Sequence, residues 1–146
     1  MLDVAFSHDG NRIAAAYADG RVRLWGRGRS ASDEQVLDDV IRRGGRRPVS
    51  CLVFSPDGRT LAAGSGDGAV WLWNLSAVHE NATILRDGPQ RAVHAIAFDS
   101  GGQWFAAGFG DGSVLVWPTL DAIVERAYDR LYPKLTQADL GQERLK

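Results

Sequence analysis

Three stretches of the chain carry one alternation of apolar and polar positions: Val4 to Trp25, Leu52 to Trp73 and Ile96 to Trp117. They align without a gap. Phe6, Phe54 and Phe98 coincide, as do the pairs Asp19-Gly20, Asp67-Gly68 and Asp111-Gly112, and the closing Trp25, Trp73 and Trp117. The copies start 48 and then 44 residues apart, counted from phenylalanine to phenylalanine. Repetition at this period means stacked supersecondary units, each too small to bury its own apolar face.

Inside each copy the apolar period is two, which predicts strands. In the second copy a strand ends at Val53-Phe54, and Ser55-Pro56-Asp57-Gly58 turns the chain, with Pro fixing φ and Gly accepting a positive one. Leu61-Ala62-Ala63-Gly64 is a second strand of small residues, suited to a crowded sheet interior. Gly66-Asp67-Gly68 is a tight hairpin. Val70-Trp71-Leu72-Trp73 is a third strand, with Val70 and Leu72 on one face and the two tryptophans on the other. Thr83-Ile84-Leu85, within Asn81 to Arg86, predicts a weaker fourth strand. Aligned backward from Gly88, it matches Asp39-Val40-Ile41 ahead of Gly44, which puts the four extra residues of the first spacing in the polar linker Gly26 to Glu34. Val36, Leu37, Val40 and Ile41 fit a helical period too, so residues 35–41 read as either strand or helix.

At Phe54-Ser55-Pro56-Asp57-Gly58, Leu61 to Gly68 and Leu72-Trp73-Asn74, with counterparts in both other copies, the sequence resembles the WD40 family of β-propellers, particularly its bacterial members. The resemblance implies an all-β fold: a partial propeller of three blades, each a four-stranded antiparallel sheet, the last lacking its outer strand. The blades are placed at about 4–43, 49–87 and 93–118 within a repeat region 1–118, followed by a helical tail, 119–146. Asp19, Trp25, Asp67, Trp73, Asp111 and Trp117 are then the structural repeat positions. Many family members carry a Gly-His pair before the inner strand, and its His joins a network through a strand Ser or Thr to the turn Asp and the Trp. Here those places hold Gly44-Gly45 and Gly88-Pro89, and the strand position holds Ala15, Ala63 and Ala107. Only Asp and Trp remain, so lower stability per blade is expected.

A propeller ring needs about 4–8 blades. With three, both outer faces and the last sheet edge are expected to be exposed. The main reading is therefore the C-terminal part of a larger bacterial WD40 signalling or sensor protein, its further blades supplied by a longer chain. The alternative is a self-assembling partial propeller, an independent oligomeric binding module whose ring is completed by another copy. The tail predicts a helix over Asp121 to Tyr132, with Ile123, Val124, Ala127, Tyr128 and Leu131 on one face, ended by Pro133. Its Leu135-Thr136-Gln137-Ala138-Asp139-Leu140 is similar to the ending of large bacterial WD40 receptor proteins.

Composition narrows the chemistry. Of 146 residues, 45% are hydrophobic and the net charge is -1, so the chain is neither disordered nor a polyelectrolyte, and no nucleic-acid partner is expected. The one cysteine, Cys51, excludes an internal disulfide and reads as a small buried thiol. No apolar run reaches a membrane span and Met-Leu-Asp-Val has no basic start, so no membrane partner and a cytoplasmic setting are expected. His8, His79 and His94 lack metal-ligand spacing; no metal, cofactor or catalytic residue is expected. A hydrolase at the propeller mouth would need converging acid and base groups, which the aligned loops lack. One charged cluster remains. Arg42, Arg43, Arg46 and Arg47 join the first blade to the second, and Arg86 and Arg91 fall in the next such loop. With the loop aromatics Tyr17 and Phe109 they read as a patch for an acidic or phosphorylated protein, against the plainer reading of a solvated loop in an Arg-rich composition. The expected role is a non-enzymatic scaffold for protein–protein interaction.

Overall fold

A computed structural model describes residues 1–26, 35–37, 47–76, 82–86 and 88–119, with 35–37 described as backbone alone. Among the described residues eleven strands fall in this order: β1 (Asp3–Phe6), β2 (Arg12–Ala16), β3 (Val22–Gly26), β4 (Gln35–Leu37), β5 (Val49–Phe54), β6 (Thr60–Ser65), β7 (Val70–Asn74), β8 (Thr83–Leu85), β9 (Val93–Phe98), β10 (Trp104–Phe109) and β11 (Val114–Pro118). They form three antiparallel sheets, β1-β2-β3-β4, β5-β6-β7-β8 and β9-β10-β11. Among the described residues the third sheet has no fourth strand, and no helix occurs. The helical tail after Leu120 lies outside the described residues.

The registers repeat residue for residue. Phe6 pairs Ile13, Phe54 pairs Leu61 and Phe98 pairs Phe105; Ile13 pairs Trp25, Leu61 pairs Trp73 and Phe105 pairs Trp117. Side chains two apart share a face, so these partners share one flank of each sheet. That flank packs on the opposite flank of the preceding sheet. Ala14, Ala16, Val22 and Leu24 of the first sheet meet Leu52, Phe54, Leu61, Ala63, Trp71 and Trp73 of the second. Cys51 and Val70, with Leu72 and Leu85, meet Val93, Phe105, Ala107 and Phe109 of the third. The core is thus two apolar layers between three sheets.

Polar ties cross the same seams. The Asp3 carboxylate accepts the Leu52 N–H at 2.9 Å. Arg12 Nη1 donates to the Gly58 carbonyl at 3.4 Å. Ser50 Oγ donates to the Val93 carbonyl.

The first outer strand corrects the sequence alignment. It is Gln35–Leu37, where Leu37 pairs Val22 as Leu85 pairs Val70. The strand was expected at Asp39-Val40-Ile41. Because β4 and β8 stand at equal distances from Trp25 and Trp73, the four extra residues lie after β4, in the arginine-rich connection, and not in the linker Gly26 to Glu34. A three-residue strand sets its register through pairing with β3, and the run of β-formers from Val36 to Ile41 offers several registers of similar apolar content.

Candidate partner-binding face

The sequence makes each hairpin turn in the same way. Asp19, Asp67 and Asp111 turn a carboxylate oxygen onto the backbone N–H two residues ahead, at 3.1 Å (Arg21), 3.2 Å (Ala69) and 2.9 Å (Ser113). This side-chain mimic of a backbone turn is why aspartate stands there. Gly68 follows with φ +87°, and a Cβ there would meet the Pro89 carbonyl and, at 3.0 Å, that of Arg91. No other residue fits.

These turns lie beside the connections that enter the next sheet. The Tyr17 carbonyl accepts the Val49 N–H at 3.2 Å, and the Pro48 carbonyl accepts the Gly66 N–H at 2.9 Å. Arg47 therefore stands where the first two hairpins meet. One seam further on, Arg86 reaches back to Asp67 at 3.0 Å, and Ala92 binds Gly110 N–H at 2.9 Å. A hollow of about 220 Å³ opens between Asp67, Gly68, Arg86, Gly88, Pro89 and Gln90. On the first hairpin the Arg23 guanidinium lies 5.0 Å over the Tyr17 ring, within cation–π range.

Two of the hairpin carboxyls, Asp67 and Asp111, are held below the usual carboxylate range. Burial pushes the Asp67 carboxyl up, but hydrogen bonds from Ser65, the Ala69 N–H and Arg86 outweigh it, and the net shift is down. The Ser113 hydroxyl and N–H lower Asp111, with a smaller pull from Arg91. Cys51 behaves as a buried thiol: burial pushes it up to about 11, leaving little thiolate to act as a nucleophile at neutral pH.

Of the sequence-chosen patch, Arg47 and Arg91 are exposed, Tyr17 is half-buried, and Arg42, Arg43 and Arg46 lie outside the described residues. Phe109 is a correction. It is 5% exposed and belongs to the layer between the second and third sheets. It ends β10 on the same side as Phe105 and Ala107, so strand alternation turns it inward despite its two glycine neighbours. It offers a partner almost no side-chain area.

Trp25, Trp73 and Trp117 take equivalent places, but only Trp73 is buried; the other two are half-buried. Trp73 Nε1 and Trp71 Nε1 are buried without a hydrogen-bond partner. An unpaired buried donor costs about 1–3 kcal/mol, and the residues paired with Trp71 and Trp73 in the neighbouring strand, Ala63 and Leu61, carry no side-chain acceptor.

At the far end of the sheets a cleft of about 260 Å³ separates the second sheet from the third, among Asp57, Thr60, Leu72, Phe98 and Phe105. Thr60 stands at the position of Arg12, which spans the first seam to Gly58. A side chain too short to cross leaves the gap. Sequence reasoning passed over this site; the Arg-to-Thr difference between copies was its signal. Among the described residues no group of His, Cys, Asp and Glu is placed to hold a metal ion.

Comparison with known proteins agrees with this architecture. The family profile described as "WD domain, G-beta repeat" matches residues 1–26, 40–74 and 81–118. The crystal structure of RRP9 WD40 repeats is similar, with TM-score 0.69 and 22% identity over 82% of this chain and 35% of that one. A chain of the mitotic checkpoint complex gives TM-score 0.67 and 22% identity over the same shares. This chain thus spans about a third of the length of those structures. No curated protein matches the sequence. Three matched repeats covering most of the chain, each folded into a sheet of the same register, make it a member of the WD40 repeat family.

Proposed function

We propose that the chain is a non-enzymatic scaffold that holds an acidic or phosphorylated protein segment on its hairpin face. WD40 repeat proteins act as protein-interaction scaffolds, and the observation that carries the finer reading is the placement of Arg47 and Arg91. Each is exposed beside a pair of aspartate-capped turns, at a seam between two sheets. Backbone hydrogen bonds tie Pro48 and Ala92, each next to one of these arginines, to the hairpins. Arginine matches carboxylate and phosphate in two parallel hydrogen bonds. The Leu135 to Leu140 ending supports placing this platform in a bacterial signalling protein.

The test is a fluorescence-anisotropy titration of labelled phosphopeptides and their unphosphorylated forms, at two salt concentrations. The double variant Arg47→Ser, Arg91→Ser is expected to bind the phosphorylated form roughly tenfold or more weakly, since one charge-assisted bond contributes about 1.5–3 kcal/mol. Equal affinity of variant and parent would remove the face from consideration.

A further inference from the structure

The three sheets bury one another through a single kind of contact, made twice. One flank of a sheet, carrying Leu52 and Phe54 in the second copy, receives the opposite flank of the sheet before it. The opposite flank, carrying Val70 and Leu72, receives the sheet after it. Among the described residues each kind of flank also occurs once uncovered. On the first sheet, Phe6 stands at the place of Phe54 and is 63% exposed where Phe54 is 6%. On the third sheet, Val114 stands at the place of Val70 and is 64% exposed where Val70 is 0%. Val4 and Val116 are exposed beside them.

A glycine gives the second observation. A Cβ on Gly64 would come within 2.5 Å of Val93 Cγ1, so the strand entering the third sheet needs the glycine there. Gly108 holds the same register position in β10, and a Cβ on it would meet nothing within 4 Å. It is shaped for a strand that the described residues do not supply. Counting back from Phe6 as Val93 counts back from Phe98, the residue that would lie over Gly108 is Met1, exposed ahead of β1.

We propose that a second copy of this chain docks head to tail on these flanks, with the first sheet of each copy on the third sheet of the other. The uncovered surfaces are the two halves of a contact the chain already makes internally, so one sequence carries both. Such a heterologous contact closes when its rotation permits, and two copies of three sheets fall within the range of known propellers. Closure removes both apolar flanks from water together. The inference goes beyond the hairpin face and does not need a ligand there.

The experiment is analytical ultracentrifugation of the full 146-residue chain, parent and variants, across a hundredfold concentration range. A dimer is expected for the parent. Phe6→Asp and Val114→Asp, each at an exposed position, are each expected to raise the dimer dissociation constant at least tenfold. Mixing the two variants is expected to give a dimer tighter than either variant forms alone but weaker than the parent's, because one seam then joins two intact flanks while the other joins the two charged ones. A monomeric parent at every concentration would overturn the proposal and assign the flanks to blades of a longer chain. A dimer surviving either single charge, or an open polymer in place of a dimer, would overturn it as well. Phosphopeptide binding is read separately and stands or falls without the dimer.

Discussion

Phe54 and Phe6 end the same strand in two copies of one repeat, each pairing with an apolar residue across an identical register. One is sealed between sheets and the other faces solvent. Val70 and Val114 repeat the contrast on the opposite flank. Among the described residues the middle sheet is covered on both sides and the terminal sheets on one, so equal sequence yields unequal burial. A blade's stability is therefore expected to depend on its seams in addition to its own ladder, the sum that nearest-neighbour models of repeat proteins use. The same contrast explains Trp25, half-buried on the open flank of the first sheet where Trp73 is buried; Trp117, on a covered flank, is half-buried as well.

The largest test of this contrast is truncation of the paired phenylalanines. Phe54→Ala is expected to cost about 3–5 kcal/mol, the range for deleting a buried aromatic ring. Phe6→Ala, measured at a concentration where the chain is monomeric, is expected to cost about 0.5 kcal/mol or less. Urea midpoints of both variants check the pair. Equal losses would mean that the ladder and not the seam holds each sheet.

Much of this was legible before any coordinates. The alternation in Val70 to Trp73, the Asp-Gly turns and the equal spacing from Phe to Trp define three strands per copy, because side-chain period and turn chemistry are local. Exposed outer faces followed from the count of copies. The position of β4 was not legible. A strand of three residues in a run of β-formers takes its register from the partner strand, which is long-range information. Phe109 was misread for the opposite reason. The glycines around it suggested a loop, while the alternation from Phe105 through Ala107 already put it on the inner flank. At the hairpin face, charge and order of the arginines could be read directly; which of them stand beside which turn needed the backbone ties through Tyr17, Pro48 and Ala92.

A finer test uses the two equivalent glycines. Gly64→Ala forces a methyl group against the Val93 side chain and the Cys51 sulfur, an overpacking expected to cost about 1–3 kcal/mol. Gly108→Ala meets open space. In the monomer it is expected to be neutral or to stabilise by up to about 1 kcal/mol, because alanine has less backbone entropy to lose in a strand. Thermal melts of the two variants check this. The same Gly108→Ala change is expected to weaken the head-to-tail dimer, since its methyl group would occupy the place of the incoming strand. A stabilised monomer with an unweakened dimer would show that the partner copy docks elsewhere.

The smallest expected difference lies in the turns before β2, β6 and β10. In the first two, Asp9 and Asp57 accept the hydroxyls of Ser7 and Ser55, both at 2.6 Å, and the N–H groups of Asn11 and Arg59. Those bonds hold the Asp9 carboxyl at about 2 and lower that of Asp57, the serine hydroxyl being the main cause in each. The third turn has Gly101 at this place, and Asp99 takes over the serine's part by accepting the Trp104 N–H at 2.9 Å. A carboxyl whose pKa falls on folding stabilises the native state fully above its unfolded value, near 4, and loses that contribution as pH drops toward its folded value. The first two turns are therefore expected to weaken between about pH 4 and pH 2. Both aspartates are well exposed, so solvent screening keeps the effect small. Asp9→Asn with Asp57→Asn is expected to flatten that part of the acid limb in a plot of urea midpoint against pH. At neutral pH the double variant starts from a lower midpoint. An acid limb of unchanged slope would show that these carboxylates bind their protons equally in the folded and unfolded chain, and that the turns are held by glycine and serine alone.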